Sequence, residues 1–199
     1  ALGLPTIATC RAASEGGRFS GPDRDRIWMF EAAARVGLDF IDIECASWHE
    51  SLELRERIDT WRRTHARTGR FRLILSAHDF ERTRPDLVEC FEEIARSGCD
   101  VPKIACRAAS VTDAMRMLDL LRPPAAAPCG ESTSPVCYAA ESRRGIAIAM
   151  GEAGILTRVL AKKLGAFLTF ASLEAGKESA PGQVTLHDMR ELYRWDAIG

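Results

Sequence analysis

Residues able to move protons or form covalent bonds punctuate the apolar runs of this sequence. Arg11 follows "TIATC", Asp42 and Glu44 lie within "FIDIE", His78 follows "LILSA", and Lys103 sits inside "VPKIA". A lysine between Val101, Pro102, Ile104 and Ala105 puts its ammonium in an apolar setting, which costs several kcal/mol unless the charge is paired or lost. Desolvation lowers a lysine pKa from its reference of about 10.4, and the neutral amine is then a nucleophile toward a ketone, with an imine as product. The same placement is compatible with a lysine that snorkels from a strand end or sits in a structural ion pair. His78 titrates near neutrality and could move protons beside such an imine, given a carboxylate to fix its tautomer; a purely structural histidine is the alternative.

The elements that must position these residues are visible as short apolar runs alternating with segments of helical period. Six runs, 4–10, 38–44, 71–77, 101–107, 145–151 and 166–172, have the length and β-branched content of strands buried on both faces. Between them, Ile27, Phe30, Ala33 and Ala34 are closed by Gly37; Leu54, Ile58 and Trp61 by Gly69; Leu87, Phe91 and Ile94 by Gly98. A glycine after the last periodic residue supplies the left-handed stop of a helix. Ser110 and Asp113 have capping-box spacing ahead of Ala114, Met117, Leu118 and Leu121, and Ile155, Val159 and Leu160 precede Gly165. Strands about 30 residues apart, each followed by a helix, predict an α/β fold with six parallel strands, either a (βα) barrel or a doubly wound sheet. In both, the carboxyl ends of the strands face the active site, so four strands aim chemistry at one place.

Bulk properties restrict the partners. The 199 residues, 46% hydrophobic and 28% charged, suit one domain spanning 1–199, and a net charge of -1 with interspersed signs offers no field for nucleic acid or a membrane surface. Seven cysteines without a CxxC pair read as reduced, mostly buried thiols of a cytoplasmic protein rather than a disulfide framework or a zinc site. No apolar run reaches 18 residues, and the start of the chain lacks the regions of a signal peptide. The Pro-, Ala- and Ser-rich stretch 122–137 has no periodicity, so 122–144 is expected to be a surface loop insertion, with a mobile linker as the alternative.

Six ordered segments, "TIATCRAASEGG" (6–17), "FIDIE" (40–44), "SAHDF" (76–80), "VPKIA" (101–105), "AMGEAGILTR" (149–158) and "SAPGQ" (179–183), resemble the signature segments of type I 3-dehydroquinate dehydratase, a Schiff-base enzyme of the shikimate pathway. The resemblance covers essentially the whole chain. It implies a TIM-type (β/α)8 barrel, here lacking its first two βα units and with them the "E-x-R" element that holds substrate hydroxyls. It implies that Lys103 forms the imine with 3-dehydroquinate, that His78 is the general acid/base and that Glu15 orients it. Arg11, Arg158, Ser179 and Gln183 match positions that hold the substrate, and the "SAPGQ" loop resembles a closing lid. No metal and no organic cofactor is implied. The segment 192–199 is similar to the junction after which some members continue into a shikimate dehydrogenase domain; an ordinary terminal helix with Leu192 and Tyr193 packed inward is the other reading. The family also admits a homodimer. Two further readings remain open from the sequence: a segment inactive on its own that serves a larger polypeptide, and another Schiff-base lyase, such as an aldolase, on the same barrel.

Overall fold

The computed structural model describes residues 3–64, 71–122 and 144–198. Five strands are β1 (Ile7–Thr9), β2 (Phe40–Glu44), β3 (Arg72–Asp79), β4 (Val101–Arg107) and β5 (Ile146–Met150). They hydrogen-bond in the order β1-β2-β3-β4-β5, with β1 parallel to β2 and β2 parallel to β3. This order lacks the reversal that marks a doubly wound sheet among the described strands. The helices are α1 (Arg24–Arg35), α2 (Cys45–Glu50), α3 (Leu52–Thr64), α4 (Leu87–Arg96), α5 (Val111–Asp119), α6 (Ile155–Val159) and α7 (Leu186–Glu191). None of the described helices is long and apolar enough to cross a membrane.

The chain forms two compact units: one of residues 1–78 and 92–103, the other of 79–91 and 104–199. In the first unit, β2 is buried along its whole length, and Ile41, Ile43, Leu73, Ile74 and Leu75 have no exposed surface. Helices α1 and α3 contribute Phe30, Leu54 and Ile58 to the same core. Aspartates fasten the starts of the strands. Asp39 Oδ2 accepts from the Thr6 N–H at 2.8 Å, and Asp100 Oδ2 accepts from the Leu73 N–H at 2.7 Å and from Arg62 Nη2 at 2.9 Å. Gly37 and Gly98 take positive φ where the periodicity of α1 and α4 ends, as expected; Gly69, the third expected stop, lies outside the described residues.

In the second unit, Leu87, Ile104, Cys106, Ala114, Met117, Ala147 and Ala149 pack as one cluster. The capping box is formed: Ser110 Oγ accepts from the Asp113 N–H, and Asp113 Oδ2 accepts from the Ser110 N–H at 3.0 Å.

The sixth expected strand is not formed, and the six-strand expectation is corrected to five among the described residues. Residues 166–171 are only half-buried; Phe167 N–H donates to Gly145 O at 2.8 Å, but the chain then turns away, and Ser172 N–H donates to Val184 O at 2.9 Å. A parallel ladder needs regular pairing along one neighbour, and this apolar run divides its hydrogen bonds between two. Short helix α2 was not expected, since "CASWHE" carries no helical period of its own. Leu192 is exposed rather than packed inward. Cys10 and Cys106 form no disulfide among the described residues, and Cys45, Cys99 and Cys106 are buried; the 122–144 segment, with Cys129 and Cys137, lies outside the described residues apart from its two end residues.

Candidate active site

The first unit gathers the charged groups that the strand ends carry. Asp42 and Glu44, two apart on β2, share one face, and Ile41 and Ile43 take the other. Asp42 is saturated: Oδ1 accepts from Ser76 Oγ at 2.6 Å, and Oδ2 accepts from Lys103 Nζ at 2.7 Å and Arg11 Nη2 at 2.9 Å. Arg11 Nη1 also donates to Ser76 Oγ at 2.8 Å and to Glu44 Oε1 at 3.1 Å. Burial alone would raise Asp42, but the charges of Lys103 and Arg11 overcome it and hold the carboxyl far below its usual range. Asp42 is therefore a fixed anion. Burial lowers Lys103 and Arg11 adds to the shift, while Asp42 opposes both. The ammonium is thus easier to deprotonate than an exposed lysine yet held in one place.

His78 and Glu15 form the second constellation. His78 Nδ1 lies 2.8 Å from Glu15 Oε2, with both side chains largely buried. Burial pushes Glu15 up to about 7, and burial followed by the Arg11 and Lys103 charges pushes His78 well below its ordinary value. Above pH 7 the pair is consistent with an ionised Glu15 accepting from Nδ1–H, which leaves Nε2 of a neutral ring to take a proton. Asp79, adjacent in sequence, instead accepts from the Glu81 and Arg82 N–H groups and closes the turn after β3.

Glu15 reaches this place because residues 11–19 fold back on themselves. A 3-10 turn over Ala13–Glu15 ends at Gly16 with φ 76°, Phe19 N–H donates to Arg11 O at 3.2 Å, and Gly17 N–H donates to Ala12 O at 2.9 Å. At Gly17 a Cβ would stand 1.9 Å from Arg11 O. Gly17→Ala should therefore displace Arg11 and Glu15 together, costing about 1–3 kcal/mol of stability, and a lowered denaturation midpoint accompanied by lost activity checks it.

The other expected residues belong to the second unit. Arg158 on α6 is 1% exposed; Nη1 donates to Phe170 O at 3.2 Å, and Nε and Nη2 have no hydrogen-bond partner among the described residues. Burial pulls its guanidinium down to about 10. Gln183 Oε1 accepts from the Ser179 N–H at 2.8 Å and Ser179 Oγ at 3.2 Å, closing that loop on itself, and Gly151 N–H donates to Pro181 O at 3.0 Å.

Three participants carried no assigned role at the level of sequence. Asp42 and Glu44 were conspicuous as acids in an apolar strand, but nothing local names their partners. Ser76 reads as a small strand residue.

These features define a parallel α/β protein with a buried lysine–carboxylate pair and a histidine in hydrogen-bond contact with a carboxylate at its strand ends. The sequence model described as type I 3-dehydroquinase matches residues 1–199, and the chain belongs to that family. It is 32% identical over 198 residues to the bifunctional 3-dehydroquinate dehydratase/shikimate dehydrogenase of Arabidopsis thaliana, covering 98% of this chain and 29% of that protein. It is 34% identical over 193 residues to a 3-dehydroquinate dehydratase of Methanococcus maripaludis, covering 96% of this chain and 77% of the other. The crystal structure of 3-dehydroquinate dehydratase from Geobacillus kaustophilus superposes with a TM-score of 0.73 at 26% identity, over 96% of this chain and 66% of that one.

Proposed function

We propose that this chain carries out the dehydration of 3-dehydroquinate to 3-dehydroshikimate through an imine on Lys103, without a metal or organic cofactor. The observation that carries the reading is the buried Lys103–Asp42 pair, within electrostatic reach of a His78 that Glu15 orients. Neutral Lys103 adds to the C3 ketone, and the hydroxyl of the resulting carbinolamine takes a proton from solvent and leaves as water to give the iminium. The iminium draws electrons from C2, and His78 Nε2 takes the C2 proton to leave an enamine. Protonated His78 then gives that proton to the departing C1 hydroxyl, which leaves as water, and hydrolysis of the imine returns Lys103 and releases product. Each proton that His78 takes up is handed on within the cycle.

Arg11 is a substrate-binding group in this reading, and its divided ties to Asp42, Glu44 and Ser76 support a fixed guanidinium fork. For Arg158, Ser179 and Gln183 the family resemblance proposes substrate binding, supported for Arg158 by its buried Nε and Nη2, which have no hydrogen-bond partner among the described residues. We further propose that the five strands are part of a (β/α)8 barrel, which their sequential order supports. A fused shikimate dehydrogenase domain, as in the name of the Arabidopsis relative, and a homodimer are proposals of the same kind.

The pH profile tests the histidine pair. Activity should fall as pH drops through about 7, where Glu15 gains its proton and ceases to accept from Nδ1–H. Glu15→Gln should remove that limb and lower the plateau, and His78→Ala should lower kcat by roughly 10²–10⁴. A profile in Glu15→Gln identical to that of the parent would reject the orienting role. The imine itself is tested by trapping with borohydride.

A further inference from the structure

Arg26 on α1 has no part in the chemistry above, yet it is 1% exposed and among the largest fully buried side chains of the chain. Its Nη1 donates to Cys10 O at 2.7 Å and to Glu44 Oε2 at 2.6 Å. Its Nη2 donates to Ser47 Oγ at 2.7 Å and to Asp23 Oδ1. Glu44 uses its other oxygen, Oε1, to accept from the Ala12 N–H at 2.8 Å and from Arg11 Nη1. Arg11 in turn shares Asp42 Oδ2 with Lys103. A continuous series of charged contacts therefore runs from α1 to β4, all of it inside the first unit.

The signs alternate along that series, and this gives Arg26 a consequence at its far end. Glu44 is 2% exposed and needs compensation for its buried charge. With Arg26 on Oε2, Glu44 claims only part of Arg11, whose Nη2 stays on Asp42. Without Arg26, the uncompensated carboxylate draws Arg11 toward itself, and Asp42 is left to Lys103 alone. We propose that Arg26 is a positioning residue for Lys103: by neutralising Glu44 it keeps Arg11 divided between Glu44 and Asp42, and so limits how firmly Asp42 holds the Lys103 ammonium.

The groups that face Lys103 are Asp42 from β2, Arg11 and Glu15 from the segment after β1, and His78 from β3. Arg26 acts through Asp42 and Arg11. Losing it removes a positive charge and tightens the Asp42 contact, and both changes favour the ammonium. The amine should then become reactive only at higher pH.

The role rests on the dehydratase reading only in making Lys103 the nucleophile, so the first readout needs no substrate. The full chain and its Arg26→Gln, Arg26→Lys and Arg26→Gln/Glu44→Gln variants are methylated with limiting formaldehyde and cyanoborohydride across a pH series. The peptide bearing Lys103 is quantified by mass spectrometry. For Arg26→Gln the labelling midpoint should rise by about one pH unit, a tenfold loss of neutral amine at fixed pH. Arg26→Lys, which keeps the charge, and the double variant, which removes both charges, should stay near the parent. A role confined to packing would change the amount labelled and leave the midpoint in place; an unchanged or lowered midpoint in folded Arg26→Gln overturns the proposal. If Arg26→Gln does not fold, a raised midpoint in the double variant overturns it and a parental one upholds it. Borohydride trapping with 3-dehydroquinate separates the two ideas. A shifted midpoint without any adduct rejects the dehydratase reading and keeps the positioning role, whereas an adduct with an unshifted midpoint does the reverse.

Discussion

Lys103→Ala, mixed with 3-dehydroquinate and borohydride, should show no gain in intact mass, while the parent chain gains a single covalent adduct. Turnover should fall by roughly 10⁴-fold or more, the scale of loss when the nucleophile of a covalent route is removed. The chain has four lysines, and Lys162, Lys163 and Lys177 are exposed while Lys103 is buried. An exposed amine on the surface holds no substrate in place, so the adduct should map to one peptide. Glu15 and His78 are retained in the variant, so the residual rate reports what acid–base chemistry achieves without the imine. An adduct of equal yield on Lys103→Ala would move the imine elsewhere and remove the basis of the proposed mechanism. No adduct on a folded parent chain would leave the charged cluster without this substrate and favour a segment that acts only within a larger polypeptide.

The second large effect is on stability. Asp42→Ala should destabilise the protein by about 3–5 kcal/mol, because it leaves the buried Lys103 ammonium without its carboxylate. Arg11 keeps Glu44 and Ser76, so most of the loss falls on Lys103. Pairing the change with Lys103→Met removes the stranded charge, and the double variant should recover much of the loss in denaturant unfolding; a double variant no more stable than Asp42→Ala would refute the pairing argument. The acid side carries the same signature. Asp42 has its pKa depressed from 3.8 in the folded chain, so its contribution is whole above about pH 4 and disappears as pH falls through the lower folded value. In Asp42→Ala that part of the acid dependence should be missing. Removing the anion should also depress Lys103 further, since Asp42 is the main influence raising it.

How much of this was legible beforehand follows from how far apart the determinants lie. The runs that became β1 to β5, the stops at Gly37 and Gly98, and the Ser110–Asp113 box each depend on residues within a turn or a strand of one another. The sixth run looked like the others because composition and length are also local, yet its backbone divides between Gly145 and Val184, a choice that no property of 166–172 encodes. Lys103 stood out by its apolar neighbours and His78 by its place after an apolar run, while the pairing of His78 with Glu15 came only from matching ordered segments. Asp42 was visible as an acid in an apolar strand, but its partner is 61 residues away. Arg26 was hidden altogether, since in "PDRDRIW" it reads as one more charge on a solvated helix face.

The sequence by itself determined the alternation of strand and helix, the placement of polar residues at strand ends and the membership of the family, because periodicity, capping and ordered motifs are written along the chain. Only the tertiary structure decided which charges meet. The parallel register aligns Glu44 with Ser76, and Asp42 accepts from both Arg11 and Lys103. Desolvation and Coulomb energy act through space, so the state of Lys103 depends on neighbours that folding alone assembles.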